Sequence, residues 1–227
     1  EDGNNYESIE EVSNTNNNNI VIEGLDHFTM FVVINPLPVK APNQDLYPIA
    51  PSSSTNNTPT QGTTSDTGLK CEAGSIINQE TGAQYKSIQE AIDNAGNGDT
   101  LCVGAGEYKE QILIKGKTVK IIGDPKEKPI IVVPHQDNFR VPLCNPNGYE
   151  NNSPIVCAFE SNVVIQNLII NANYFGQSIG GKGINGITLL NSSGTIKDVE
   201  IKNVRYNGNP PKDANIGIGI LVYNDGT

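Results

Sequence analysis

The sequence predicts an all-β chain of stacked coils carrying one short helix, and three observations lead there. From Thr100 onward, apolar residues alternate with period two in short runs, Thr100 to Val103, Ile112 to Ile114, Val119 to Ile122 and Ile130 to Val133. Gly104, Gly106, Gly116 and Gly123 stand in the turns between them. Further on the pattern repeats: Ile165, Leu168 and Ile170 return as Ile196, Val199 and Ile201, an offset of 31 residues. GITLLNSSGT at 186–195 returns as GILVYNDGT at 219–227, with Asn191 on Asn224. Such a coil cannot bury its own inward residues and relies on the coils beside it. The third observation is the helix. Ser87 followed three residues later by Glu90 is a capping box, Ile88, Ala91, Ile92 and Ala95 form one apolar stripe, and Gly96 and Gly98 are expected to stop it.

The residues from Tyr85 to Gly123 carry a family resemblance. Tyr85, Ser87, Ile88, Gln89, Ala91, Ile92 and Asp93 are followed by Gly98, Asp99, Thr100, Val103, Gly106, Tyr108 and Glu110, then Ile112, Ile114, Val119, Ile121 and Gly123. This series resembles the opening segment of right-handed parallel β-helix proteins, the pectin lyase-like fold that includes pectinesterases and many microbial cell-surface proteins. The resemblance implies a solenoid from 70 to 227 whose short helix covers the first coil. A capped end is a physical need, because an open one exposes apolar core and unpaired strand edge.

Upstream, Glu7 to Val12, Ile20 to Glu23 and Leu25 to Ile34 read as strands. The phrase DHFTMFVV resembles the last strand of β-sandwich modules of microbial surface proteins. Residues 1–34 are therefore expected to be the C-terminal strands of a preceding, truncated β-sandwich-like module. Residues 35–69 place Pro36, Pro38, Pro42, Pro48, Pro51 and Pro59 among Ser, Thr and Asn, the composition of an extended linker. Residues 134–161 interrupt the repeat and are expected to form an inserted loop holding His135, Asp137, Arg140, Tyr149 and Glu150. The start without Met and the finish in a turn at Asn224–Thr227 read as a piece of a longer chain.

Fifteen Lys and Arg against 25 Asp and Glu, a net charge of −10, argue against nucleic acid and anionic membrane as partners. The longest apolar run, Phe28 to Ile34, is interrupted by Thr29 and is far shorter than the roughly 20 residues a membrane helix needs, so no membrane insertion is expected. Cys71, Cys102, Cys144 and Cys157 show no CxxC spacing. Four cysteines allow three pairings, of which Cys71 with Cys102 and Cys144 with Cys157 are expected; four buried free thiols are the alternative. Disulfides and the sequons at Asn56, Asn151 and Asn191 fit an extracellular or cell-surface location.

Candidate chemistry is sparse. Gly181–Gly186 satisfies GxGxxG, but the following ITLLN reads as a strand, which removes the dinucleotide reading. Asp198, Glu200 and Lys202 alternate with Val199 and Ile201 and are expected on one outer strand face. Lyases of the resembled fold hold calcium with carboxylates on such a face, which makes Asp198 and Glu200 the weak candidates for Ca²⁺; alternating charge on a strand's wet face is the commoner reading, and no metal or other cofactor is expected. The pectinesterase catalytic phrase and GxSxG are absent, and no nucleophile motif in the sequence goes with His27 or His135. Asn171, Asn191, Asn203 and Asn224 are expected to stack as structural ladders. Tyr149, Tyr174 and Tyr206 are the candidates for stacking against sugar rings. Together these imply a secreted or surface protein, non-catalytic as it stands, acting in glycan or polysaccharide recognition, adhesion or as a stalk. The enzymatic alternative is a polysaccharide lyase or esterase with catalytic coils beyond Thr227. A third reading has the N-terminal strands completing a neighbouring copy's sheet.

Overall fold

The computed structural model describes residues 20–23, 31–34, 71–135, 138–139, 152–175, 183–204 and 217–223. Two strands come first, β1 (Ile20–Glu23) and β2 (Phe31–Ile34), then β3 (Ile76–Asn78), β4 (Gln84–Tyr85) and the single helix among the described residues, α1 (Ile88–Asn94). β5 (Thr100–Val103), β6 (Glu107–Lys109), β7 (Ile112–Lys115), β8 (Thr118–Gly123) and β9 (Ile130–Val132) follow. After them come β10 (Asn152–Phe159), β11 (Asn162–Gln166), β12 (Ile169–Asn171), β13 (Gly183–Leu190), β14 (Ser193–Lys197), β15 (Glu200–Lys202) and β16 (Ile218–Tyr223).

These strands form three sheets. The first runs β1-β14-β11-β8-β5-β3-β4, the second β2-β16-β13-β10-β7 and the third β15-β12-β9-β6. From β5 onward the chain visits the first, third and second sheets in fixed rotation and then repeats the circuit. Successive circuits pair in parallel, and the antiparallel pairs are those of β3 with β4 and β5. Alternation along each strand sends one set of side chains inward, and Leu101, Ile112, Ile114, Val119, Ile165, Ile170, Ile187, Leu189 and Ile196 are buried there. The sequence repeat is the strand register itself, with Ile165 beside Ile196 and Ile170 beside Ile201.

Two expectations are revised. The stretch expected as an inserted loop contains β10, paired in register with β13 and β7. Ser153 to Ala158 are buried on both faces, so the strand reads as a continuous run without alternation and carries Pro154. Pro154 precedes the point where pairing to β7 begins, at Val156, and the side chain of Gln111 reaches its carbonyl at 2.8 Å. The strands expected to belong to a preceding module are instead paired with the coils, β1 with β14 and β2 with β16. Glu7 to Val12 lie outside the described residues.

The first coil is closed by α1, whose Ile88, Ala91 and Ile92 are buried. Ser87 Oγ accepts the Glu90 N–H at 3.1 Å, while the Glu90 carboxylate takes the N–H of Lys86 rather than that of Ser87. Ala95, in extended conformation, ends the helix one residue before Gly96. Three side chains dock it. Glu110 accepts the free N–H groups of Ile88 and Gln89 at 2.9 and 3.0 Å. Gln89 pairs its side-chain amide with both backbone groups of Leu113, at 2.7 and 3.0 Å, standing in for a strand beside the edge strand β7. Lys117 Nζ donates to the carbonyls of Ile92, Asp93 and Ala95 at the helix's negative end.

A Cys71–Cys102 disulfide ties the lead-in chain to β5 across 31 residues. In the chain-entropy picture a loop of that size contributes roughly 3–4 kcal/mol. Cys157 is also disulfide-bonded, and Cys144 lies outside the described residues. The Cys71–Cys102 bond fits an oxidising environment, and no described helix is long and apolar enough to cross a membrane.

Two predictions concern this end. Glu110→Ala and Gln89→Ala should each lower stability by about 1–3 kcal/mol, read as urea midpoints, while the exposed Lys86→Ala stays within about 0.5 kcal/mol. Asp99 accepts from Asn78 Nδ2 at 2.6 Å and from the Gly96 N–H at 2.8 Å, and these bonds, the Asn78 one first, hold its carboxyl below the ordinary 3.8. A lowered folded-state pKa gives stability that is present above the unfolded value and lost as pH falls through the folded one. Thermal unfolding between about pH 5 and about pH 2 should fall less steeply for Asp99→Asn than for the unaltered chain.

Candidate functional site

Where the chain leaves the second sheet for the first, each circuit makes the same tight corner. Gly116, Glu160 and Asn191 occupy it with φ of +62°, +49° and +46°, the left-handed region. Their N–H groups donate to the carbonyls of Phe159, Leu190 and Tyr223, each on the next circuit, at 3.0, 2.9 and 2.9 Å. One residue on, a serine ladder repeats. The N–H of Lys117 donates to Ser161 Oγ and that of Ser161 to Ser192 Oγ, at 3.2 and 3.1 Å. The two hydroxyls in turn donate to the carbonyls of Phe159 and Leu190, both at 2.8 Å.

These corners frame an open groove of about 350 Å³. Asn97, Thr118, Glu160, Ser161, Asn162, Asn191 and Ser193 line it together with Gly116 and Lys117. The lining is amide and hydroxyl with one carboxylate, and Lys117's ammonium is already engaged by three helix carbonyls. Beside the groove in the chain stands Phe159, partly exposed, with Lys115 Nζ 5.6 Å from its ring centre. Such a surface can hold hydroxyl-rich ligands by direct hydrogen bonds and present an aromatic face nearby.

Sequence reasoning did not find this groove. Its residues come from separate circuits, and Phe159 to Ser161 were assigned to the inserted loop. The available signal was Glu160-Ser161-Asn162 recurring 31 residues later as Asn191-Ser192-Ser193.

The predicted site residues lie elsewhere. Tyr174 sits at the corner after the third sheet with φ of +56°, its N–H bonded to the Asn203 carbonyl at 2.9 Å. Tyr149 and Tyr206 lie outside the described residues. At the Tyr174 corner Asn203 Nδ2 donates to Asn171 Oδ1 at 2.8 Å, so two of the expected ladder asparagines do stack. Asn191 belongs to the groove corner instead, and Asn224 is not described. Near Tyr174, the rings of Phe139 and Phe175 meet at 5.1 Å.

Asp198, Glu200 and Lys202 do not share one strand face. Asp198 occupies the left-handed corner before β15, with φ of +52°, and only Glu200 and Lys202 stand on the strand, paired at 3.3 Å. Among the described residues no three His, Cys, Asp or Glu side chains are grouped to hold a metal ion. Gly183–Gly186 of the glycine run lie within strand β13, and His135 is exposed. Comparison of the chain with protein-family models, with curated proteins and with solved structures finds no match.

The serine ladder yields a prediction. Ser161→Ala leaves the Lys117 N–H without its acceptor, and Ser192→Ala does the same to the Ser161 N–H. Each should cost about 1–3 kcal/mol in chemical denaturation, whereas Ser75→Ala, whose exposed hydroxyl meets only the Glu72 carbonyl, should cost less than about 0.5 kcal/mol.

Proposed function

We propose that this chain is part of an extracellular right-handed parallel β-helix that recognises carbohydrate without turning it over, using the groove at the corner between the second and first sheets. The observation that carries the reading is the groove's make-up: side-chain amides and hydroxyls fixed on a backbone whose corners repeat from circuit to circuit. The fixed rotation through three sheets, with parallel pairing from β5 onward, supports a β-helix, and a strand-to-parallel-strand crossover is right-handed in nearly all proteins. The resemblance of Tyr85–Gly123 to pectin lyase-like proteins supports the same fold and a polysaccharide as the class of ligand. The disulfide supports a secreted or surface location.

Rigidity matters for this role. A sugar offers many weak hydrogen bonds, so a surface that needs no ordering on binding keeps more of their free energy. Asn162 and Ser193 are held by the register of β11 and β14, and Glu160 and Asn191 by the corners that precede those strands.

A glycan array of plant, bacterial and host polysaccharides tests the proposal, run beside an assay for unsaturated or de-esterified products. Binding is expected without product release. Asn162→Ala and Ser193→Ala should each weaken it about fivefold, the worth of one hydrogen bond, and Tyr174→Ala, at a different corner, should leave it unchanged. Product release would replace recognition with the lyase or esterase reading, and Asp198 and Glu200 would then be the first residues to substitute. Silence in both assays would leave adhesion by protein contact or a stalk role.

A further inference from the structure

The segment containing β1 and β2 has the sequence of a coil. Asn19–Leu25, NIVIEGL, repeats the pattern of Asn162–Leu168, NVVIQNL, and of Ser193–Val199, SGTIKDV. It pairs at that same register: Val21 stands beside Thr195 and Ile22 beside Ile196, with Ile22 only 4% exposed. β2 continues the second sheet likewise, Val33 beside Val222. The two strands thus stand where one more circuit would stand, shielding backbone groups of β14 and β16 that would otherwise be open edges.

They reach that position from the other end of the stack. In the first sheet β1 and β3 are five strand spacings apart, about 24 Å at about 4.8 Å each. The connection between Ile34 and Cys71 has 36 residues. Fully extended it would reach about 120 Å, far more than its own stack requires and enough to reach a neighbouring copy.

We propose that β1 and β2 form a transferable segment: it docks on β14 and β16 of its own chain in dilute solution, and on the same strands of a second copy where copies are crowded. The ladder and the burial of Ile22 are identical in the two arrangements, so only local concentration chooses between them. A connection of this length holds the segment at about millimolar effective concentration, so exchange takes over at that density, as among copies held side by side on a surface. Because the donor segment and the acceptor edge differ, one-way exchange is head-to-tail and continues into an open chain of copies, whereas mutual exchange closes a dimer. The proposal rests on the strand pairing and is independent of carbohydrate binding.

Cysteine cross-linking of the full chain tests it. A Val21→Cys copy and a differently tagged Thr195→Cys copy are mixed at about 10 μM and about 1 mM, oxidised mildly and run without reductant. The expected result is a mixed-tag dimer whose fraction rises at least tenfold between those concentrations, and which falls when a peptide of residues 18–34 is added in excess. The Val21→Cys, Thr195→Cys double variant should cross-link within the monomer at about 10 μM. Internal cross-linking with no mixed dimer at about 1 mM would overturn transfer, and no internal cross-linking would overturn the docking itself. A mixed dimer that persists when Ile22→Asp is added to the donor, or that ignores the peptide, would mean random collision and would also overturn it.

Discussion

Parallel strands in a stack satisfy their backbone groups only through the strands above and below, so the first circuit has to find partners of another kind. The residues from Ser87 to Lys117 meet that demand. Gln89 replaces a missing strand beside Leu113, Glu110 takes the N–H groups that open α1, and Lys117 takes the carbonyls that close it. Buried Ile88, Ala91 and Ile92 cover the apolar end. The motif from Ser87 to Lys117 is therefore a set of end-closure parts. Its wide spacing follows from geometry, because α1 and the strands it closes lie about twenty residues apart in sequence and in contact in space.

Once the first circuit is fixed, the corners set the rest. A tight turn between sheets needs one residue in the left-handed region, which asparagine and aspartate tolerate and glycine adopts freely. Asn167, Asp198, Asn191 and Asn203 meet that need in these corners. Glu160 does not fit the pattern, since glutamate gains nothing locally from φ of +49° and pays of order 1 kcal/mol for it. Its neighbours in the same corner are Gly116 and Asn191, and its side chain lines the groove. Tyr174, at φ of +56°, carries the same strain at a corner away from the groove.

The legible and illegible parts of the sequence divide along one line. Strands with one wet face, such as β8 with its buried Val119 and Ile121 between exposed Thr118 and Lys120, show period two and were read correctly. So was the 31-residue register, because Ile165 and Ile196 sit in equivalent inward positions. β10 was missed because both its faces are covered and nothing alternates. β1 was read as a strand but placed with the wrong partner, since the pairing of Ile22 with Ile196 joins opposite ends of the chain. The groove was illegible for a similar reason. Asn97, Thr118, Asn162 and Ser193 belong to different circuits, and no local pattern announces that they share a corner. Tyrosines could be named as sugar-binding residue types, but their position among the corners could not.

The third sheet shows what in-register stacking forbids. Along its outer face Glu107, Ile130, Ile169 and Glu200 form one row, and Lys109, Val132, Asn171 and Lys202 the next. A row of four like charges at about 4.8 Å spacing would repel itself at every step. The structure separates them, keeping charge on the two outer strands and neutral side chains on the two inner ones. Each charge then finds its opposite two residues along its own strand, Glu107 with Lys109 and Glu200 with Lys202, both at 3.3 Å. Exposed pairs of this kind add little stability, in the range of about 0–1 kcal/mol. Their consequence is chemical: Glu200 is committed to Lys202, and the nearest carboxylate in sequence, Asp198, is held around a corner by its backbone. Charge on this face is thus paired within its own strands, whereas the groove at the opposite corner is lined by amides, hydroxyls and one carboxylate.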